Sequence, residues 1–293
     1  MNTVVTPDLM ALFLLATKLH LGPKVIAALI AACGAPSEII EAGPETIAEI
    51  AMLDDDQRDQ LTEILADGAA LHEELTYITG KGIGLVGIHE EQYPPRLLRL
   101  GDPPPLLFVC GQLPDPDKTA IAVVGSHHAD AIGIAEAVNW GKGLVARDVV
   151  VVSGLARGID GGAHTGALAG NGTTVAVLGS GFDNIYPPEH RALAEEVTTQ
   201  GALISEYPPS APLTKARLVS RNRLIVGLCD AVVVVRVSET TKGSMEAIKR
   251  ARDIAVPVFL VATDAGEASR RAIAEGAIPI LPEPDYDLVL NYL

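Results

Sequence analysis

In the middle of the chain the apolar positions fall in short unbroken runs. Ile121–Val124, Val149–Val152 and Thr174–Leu178 are rich in β-branched residues, and each stops at a small-residue turn: Gly125-Ser126, Ser153-Gly154 and Gly179-Ser180-Gly181. Runs of this length suit parallel strands buried on both faces. Helix-compatible segments separate them, so strand, turn and helix alternate in a βαβαβ pattern. The alternation continues with a helix over Pro188–Gln200, a strand over Ala202–Ser205, a helix over Ser220–Leu228 and a strand over Ala231–Val235. A helix over Ser244–Arg252, a strand over Val256–Val261, a helix over Ser269–Gly276, the run Ile278-Pro279-Ile280 and a last helix over Asp285–Leu293 complete it.

The front of the chain is patterned differently. Leu9–Ala32 carries helix-spaced apolar residues in two segments broken at Leu21-Gly22-Pro23, with Pro23 placed to open a first turn. Pro36–Ala42, Pro44–Met52 and Asp54–Leu75 repeat the helical spacing. Gly80–Gly84 is a glycine-rich joint. It divides an all-helical domain over 1–79 from a mostly parallel α/β domain over 80–293. Leu85–Ile88 and Leu106–Cys110 are short strands, and the prolines between Tyr93 and Pro105 argue against regular structure there.

Composition narrows the class. With 48% hydrophobic and 4% aromatic residues among 293, the core is built of aliphatics and alanine. Cys33, Cys110 and Cys229 show neither CxxC nor histidine spacing, so they read as buried thiols rather than a metal site or disulfide framework. The first basic residue is Lys18, which argues against a signal peptide, and no apolar run nears the ~20 residues of a spanning helix, so a cytoplasmic location is expected. The net charge of −15 would argue against nucleic acid. However, the segment from Glu38 to Glu91 holds 14 acidic and two basic residues. The acidity is therefore concentrated at the front, and the α/β part remains free to meet an anion locally.

That part carries the candidate chemistry. Glycines after a strand let backbone approach a ligand, and the following helix offers free N–H groups. The turn Ser153-Gly154-Leu155-Ala156-Arg157-Gly158-Ile159-Asp160 adds a cation and a hydroxyl, in outline an anion cradle. Arg157 and Asp160 are either ligand groups or an internal ion pair, and His164 reads as structural. The stretch Lys215–Arg223 carries four cations and no acid, with Ser220 as a plausible N-cap. Arg221 and Arg223 are phosphate contacts or else partners of Glu206 or Asp230. No Walker loop, nucleophile elbow or paired carboxylates are present, so catalysis is not expected.

The run SGLARGID with Ala163-His164 and Gly166-Ala167-Leu168, then VLGSGFDNIYPPEH, resembles the DprA/Smf family of DNA-processing proteins. Ile204–Pro209, Arg221-Asn222-Arg223, Lys242-Gly243-Ser244, Tyr93–Leu98 and Pro103–Val109 fit the same resemblance. It implies an α/β fold: an extended Rossmann-like, mostly parallel sheet behind a small SAM-like or helix-hairpin-helix domain, here without the C-terminal winged-helix domain of many members. The implied function is binding of single-stranded DNA and loading of RecA recombinase in natural transformation, as a homodimer, with no cofactor, no metal and no membrane partner. The implied DNA- or phosphate-facing residues are Gly125, Ser126, His127, Ser153, Gly154, Arg157, Gly158, Gly179, Gly181, Lys215, Arg221, Asn222, Arg223, Lys242, Gly243 and Ser244.

The sequence departs from the family pattern at three places. His127 stands where the family has an arginine, and imidazole lacks the charged planar fork that grips phosphate. Leu218-Val219 replaces a Phe-Pro pair whose ring stacks on a base. Lys242 replaces a serine. The turn Thr241–Glu246 is also faintly similar to the Gly-Gly-x-Gly-Thr-x-x-Glu motif of related phosphoribohydrolases, with the glutamate one residue short and the glycines missing. An alternative reading is therefore a diverged sensor or hydrolase of a nucleotide-type phosphate ligand.

Overall fold

Proline opens four of the first helices, where its fixed φ and missing N–H suit the first turn: α1 (Pro7–Phe13), α2 (Pro23–Cys33), α3 (Pro36–Glu41) and α4 (Pro44–Ala51). α1 runs on into a π-helical turn, Leu14–Lys18. α5 (Asp55–Ala66) and α6 (Gly68–Gly80) follow. The single helix expected over Asp54–Leu75 is thus two, because Asp67 caps a new start by accepting from the Ala70 N–H. β1 (Ile83–Gly87) and β2 (Leu106–Gly111) pair antiparallel. Phe13 of α1 meets Phe108 of β2 edge-to-face at 6.2 Å.

The structure is a computed structural model that describes residues 4–237, 243–261 and 266–293. By contacts it forms two units. One comprises the chain up to Tyr93 together with Gly101–Cys110 and Glu206–Pro208, so the hairpin β1–β2 belongs with the helices rather than beyond a cut at the 80–84 joint. Pro95–Arg99, in the proline-rich stretch, is a 3-10 turn of the other unit. Arg96 and Arg99 hold it there: Arg96 Nε donates to Asp230 Oδ1 at 2.8 Å, and Arg99 to the Cys229 carbonyl at 2.6 Å.

The second unit alternates β3 (Ala120–Gly125), α7 (Ala131–Val145), β4 (Val150–Ser153), α8 (Ile159–Ala169), β5 (Thr174–Leu178), α9 (Arg191–Gln200) and β6 (Ala202–Ser205). It continues with α10 (Lys215–Ser220), α11 (Asn222–Gly227), β7 (Ala231–Arg236), α12 (Gly243–Asp253), β8 (Val258–Val261), α13 (Glu267–Ala274), β9 (Ile278–Ile280) and α14 (Tyr286–Asn291). Each strand pairing inside this unit is parallel, in the order β6-β5-β4-β3-β7-β8-β9. The fold class is the α/β class the pattern predicted.

Alternate residues of the strands build one face of the core: Ile121 and Val123, Val151 with Val149 just before β4, Val233 and Val235, Phe259 and Val261, with Trp140 of α7 and Ala163 and Ala167 of α8. The intervening residues Ala122, Val150, Val152, Val232 and Val234 are buried as well, so the strands are covered on both faces. From β3 the chain winds outward through β4, β5 and β6, then returns to the far side of β3 with β7. This reversal opens a crevice at the C-terminal ends of β3 and β7, where ligands of such sheets sit. Among the described residues, no helix is long and apolar enough to cross a membrane.

Candidate nucleic-acid interface

The crevice is lined first by the turn after β3. Gly125 is packed under Ile159 and the Arg236 carbonyl, positions a side chain there would invade. Ser126 Oγ accepts from the His128 N–H at 3.1 Å, and its carbonyl accepts from Ile159 N–H at 3.3 Å. His127 is half-exposed. A side-chain carbon on Gly243 would lie 3.9 Å from His127 Nε2, so this ring stands over the start of α12. Next in sequence, Ser244 is 2% exposed, and its hydroxyl has no hydrogen-bond partner among the described residues. Burial of an unpaired hydroxyl costs about 1–3 kcal/mol. Together with the free N–H groups of a helix's first turn, it makes a donor set suited to an anion. Lys242, the cation expected beside it, lies outside the described residues.

The second turn, after β4, is committed differently from the sequence reading. Ser153 Oγ donates to the Val123 carbonyl at 2.6 Å and is fully buried, so it ties β4 to β3 rather than facing a ligand. Gly154 makes room for the Arg221 guanidinium. Leu155 adopts a left-handed backbone (φ 58°), and its carbonyl accepts from His190 Nδ1 at 2.9 Å, which fixes the proton on that nitrogen. Gly158 has φ 72° and would place a side chain 2.3 Å from the Ser126 carbonyl, so only glycine lets this loop press against the β3 turn. Arg157 is exposed and binds Glu189 at 2.5 Å, with Tyr186 Oη at 3.3 Å. The hydrogen bond from Arg157 holds the Glu189 carboxyl below the usual range.

Arg221 corrects the basic-strip reading. It is 2% exposed, its Nη1 donates to the Gly154 and Val177 carbonyls, and its Nη2 lies 3.9 Å from Asp160. Its partner is therefore Asp160, not Glu206 or Asp230; Asp230 is held by Arg96. Asp160 also accepts from the Gly154 N–H at 3.1 Å. Burial raises the Asp160 carboxyl above its ordinary range, and the Arg221 guanidinium pulls against that shift. Arg223 is 5% exposed, on α11. Both arginines are thus interior, and Asn222 is half-buried with its Oδ1 on Arg221 Nε at 3.2 Å.

The strip's exposed part is α10. Thr214 caps it, accepting from the Arg217 N–H at 3.2 Å, so the helix starts at Lys215 and Ser220 is its last residue rather than a cap. Threonine is among the residue types that mark such a start in sequence. Lys215 is exposed, Arg217 is half-exposed, and the α10 backbone at Leu218 rests on Gly179, where a side chain would come within 2.9 Å. Gly181 donates its N–H to the Ala211 carbonyl at 2.9 Å. His164 is buried in α8, with Nδ1 against Thr174 Oγ1 at 2.8 Å. That hydroxyl already donates to the Val151 carbonyl, so the imidazole is the donor and the residue is a structural link.

The family model described as DNA recombination-mediator protein A matches residues 84–286. Protein Smf of Escherichia coli is 37% identical over 210 residues, 69% of this chain and 54% of that protein, so the chain spans about half the length of this relative. The X-ray structure of DNA processing protein A from Streptococcus pneumoniae matches with a TM-score of 0.79 at 28% identity, covering 95% of both chains. A solved structure of DNA processing protein A from Helicobacter pylori, described for its single-stranded DNA binding mode, matches with a TM-score of 0.63 at 23% identity over 72% of this chain and 96% of that one. Motifs, parallel sheet and family match agree, and the chain belongs to the DNA recombination-mediator protein A (DprA/Smf) family.

Proposed function

We propose that this chain binds single-stranded DNA along the C-terminal edge of its parallel sheet, holding a phosphate in the crevice between β3 and β7 and passing the strand over Lys215 on α10. No bond is made or broken. The reading extends to delivery of the strand to RecA recombinase in natural transformation and to action as a homodimer, both on the strength of family membership. The observation that carries it is the buried Ser244 hydroxyl, without a hydrogen-bond partner among the described residues, next in sequence to the Gly243 that lies under His127 at the switch point of the sheet. A strand phosphate would satisfy that donor and the first-turn N–H groups at once. His127 adds charge only in its protonated form, so this site leans on neutral donors more than an arginine-bearing one would.

Ser244→Ala tests the reading. Among the described residues the hydroxyl has no partner to lose, so thermal stability should stay level or rise. A hydrogen bond to a charged group contributes about 1.5–3 kcal/mol, so affinity for an oligothymidylate should fall about ten-fold or more. Unchanged affinity with an intact fold would take the crevice off the strand's path.

A further inference from the structure

The segment Gly181–His190 leaves a large aromatic in solvent at an ordered place. Tyr186 is 42% exposed, between Ile185 at 8% and a buried Pro187. The loop around it is pinned on both sides. The Asp183 N–H donates to the Pro209 carbonyl at 3.0 Å, Asn184 Nδ2 donates to the Ser210 carbonyl at 3.0 Å, and Ser180 Oγ donates to the Asn184 carbonyl at 2.8 Å. Beyond Tyr186, His190 is tied to the Leu155 carbonyl. Arg157 places its guanidinium over the Tyr186 ring, 5.5 Å from the centroid. The loop that carries Arg157 is the one that Gly158 presses against the Ser126–His127 turn, so the loop bearing the cation adjoins the turn after β3.

An exposed ring held still costs little ordering when a second flat group stacks on it, and a cation beside it suits a polyanionic chain. We infer that Tyr186, with Arg157 on one face of its ring, forms a nucleobase-stacking subsite, the base lying on the other face. It would supply the aromatic contact that Leu218 and Val219 of α10 lack. This rests on the single-strand reading above. Tyr186 Oη and Glu189 hold the guanidinium, so Arg157 serves here to orient and back the ring.

The experiment compares oligothymidylate with an abasic oligodeoxynucleotide of the same length, by fluorescence anisotropy at fixed salt, on the parent chain, Tyr186→Leu and Tyr186→Phe. Tyr186→Leu keeps apolar bulk without a π-face, and melting temperatures check that each variant is folded. The inference expects Tyr186→Leu to weaken oligothymidylate about five-fold or more, leave the abasic strand unchanged, and be rescued by Tyr186→Phe. Equal loss on both strands, or no loss on either, would overturn the stacking subsite while leaving strand binding in place. A parent chain that binds neither strand would overturn the reading of single-strand binding, and the subsite with it.

Discussion

At the scale of single residues, burial decides which cations can meet a strand. Lys215 is exposed at the first position of α10, whereas Arg221, six residues on, is interior. Lys215→Ala should therefore weaken single-strand binding and lower the slope of log affinity against log salt by about 0.7, the increment of one lost phosphate contact on a single strand. An unchanged slope with full affinity would remove Lys215 from the interface. His164 gives a different signal. Burial pushes its ring down to about 3, with lesser contributions from His190 and Arg221. The unfolded chain takes up that proton near pH 6.5 and the folded one does not, so lowering the pH favours unfolding. Stability should fall between about pH 6.5 and 3, by up to ~1.4 kcal/mol per pH unit from this residue. Urea titrations of the parent and His164→Asn should show the shallower slope in the variant. Identical slopes would mean that the ring is not held neutral.

At the scale of elements, strand positions were legible because β-branched runs and small-residue stops coincide with strand ends in β3, β4 and β5. What those stops do was less legible. Gly154, Gly158 and Gly179 read as places for a ligand, but each makes room for another part of the chain: Arg221, the β3 turn and α10. Sequence spacing does not disclose such long-range approaches. The link from Asp160 to Arg221 is a further case, since it joins α8 to the turn between α10 and α11 through the Gly154 and Val177 carbonyls. Removing one partner of a buried pair typically costs about 3–5 kcal/mol. Arg221→Ala should accordingly lower unfolding free energy by about that much, read from urea denaturation. A stable variant that has lost strand binding would instead place Arg221 in the interface.

At the scale of the whole molecule, charge is unevenly divided. The chain carries −15, but the segment between Glu38 and Glu91 holds 14 acidic against two basic residues. The residues outside that segment carry only −3, so their own charge opposes a polyanion far less than the total implies. The fold class and the family were legible from the ordered motifs. The position of the crevice followed only from strand order, because the pairing of β3 with β7 brings together residues more than a hundred positions apart, His127 and Gly243. The measurement that bears most directly on single-strand binding is a paired titration of the intact chain with an oligothymidylate and with mononucleotides, followed by anisotropy and thermal shift at several salt concentrations. Single-strand binding predicts saturable, salt-weakened binding of the oligonucleotide and little response to mononucleotides. A thermal shift with mononucleotides and none with the oligonucleotide would contradict it.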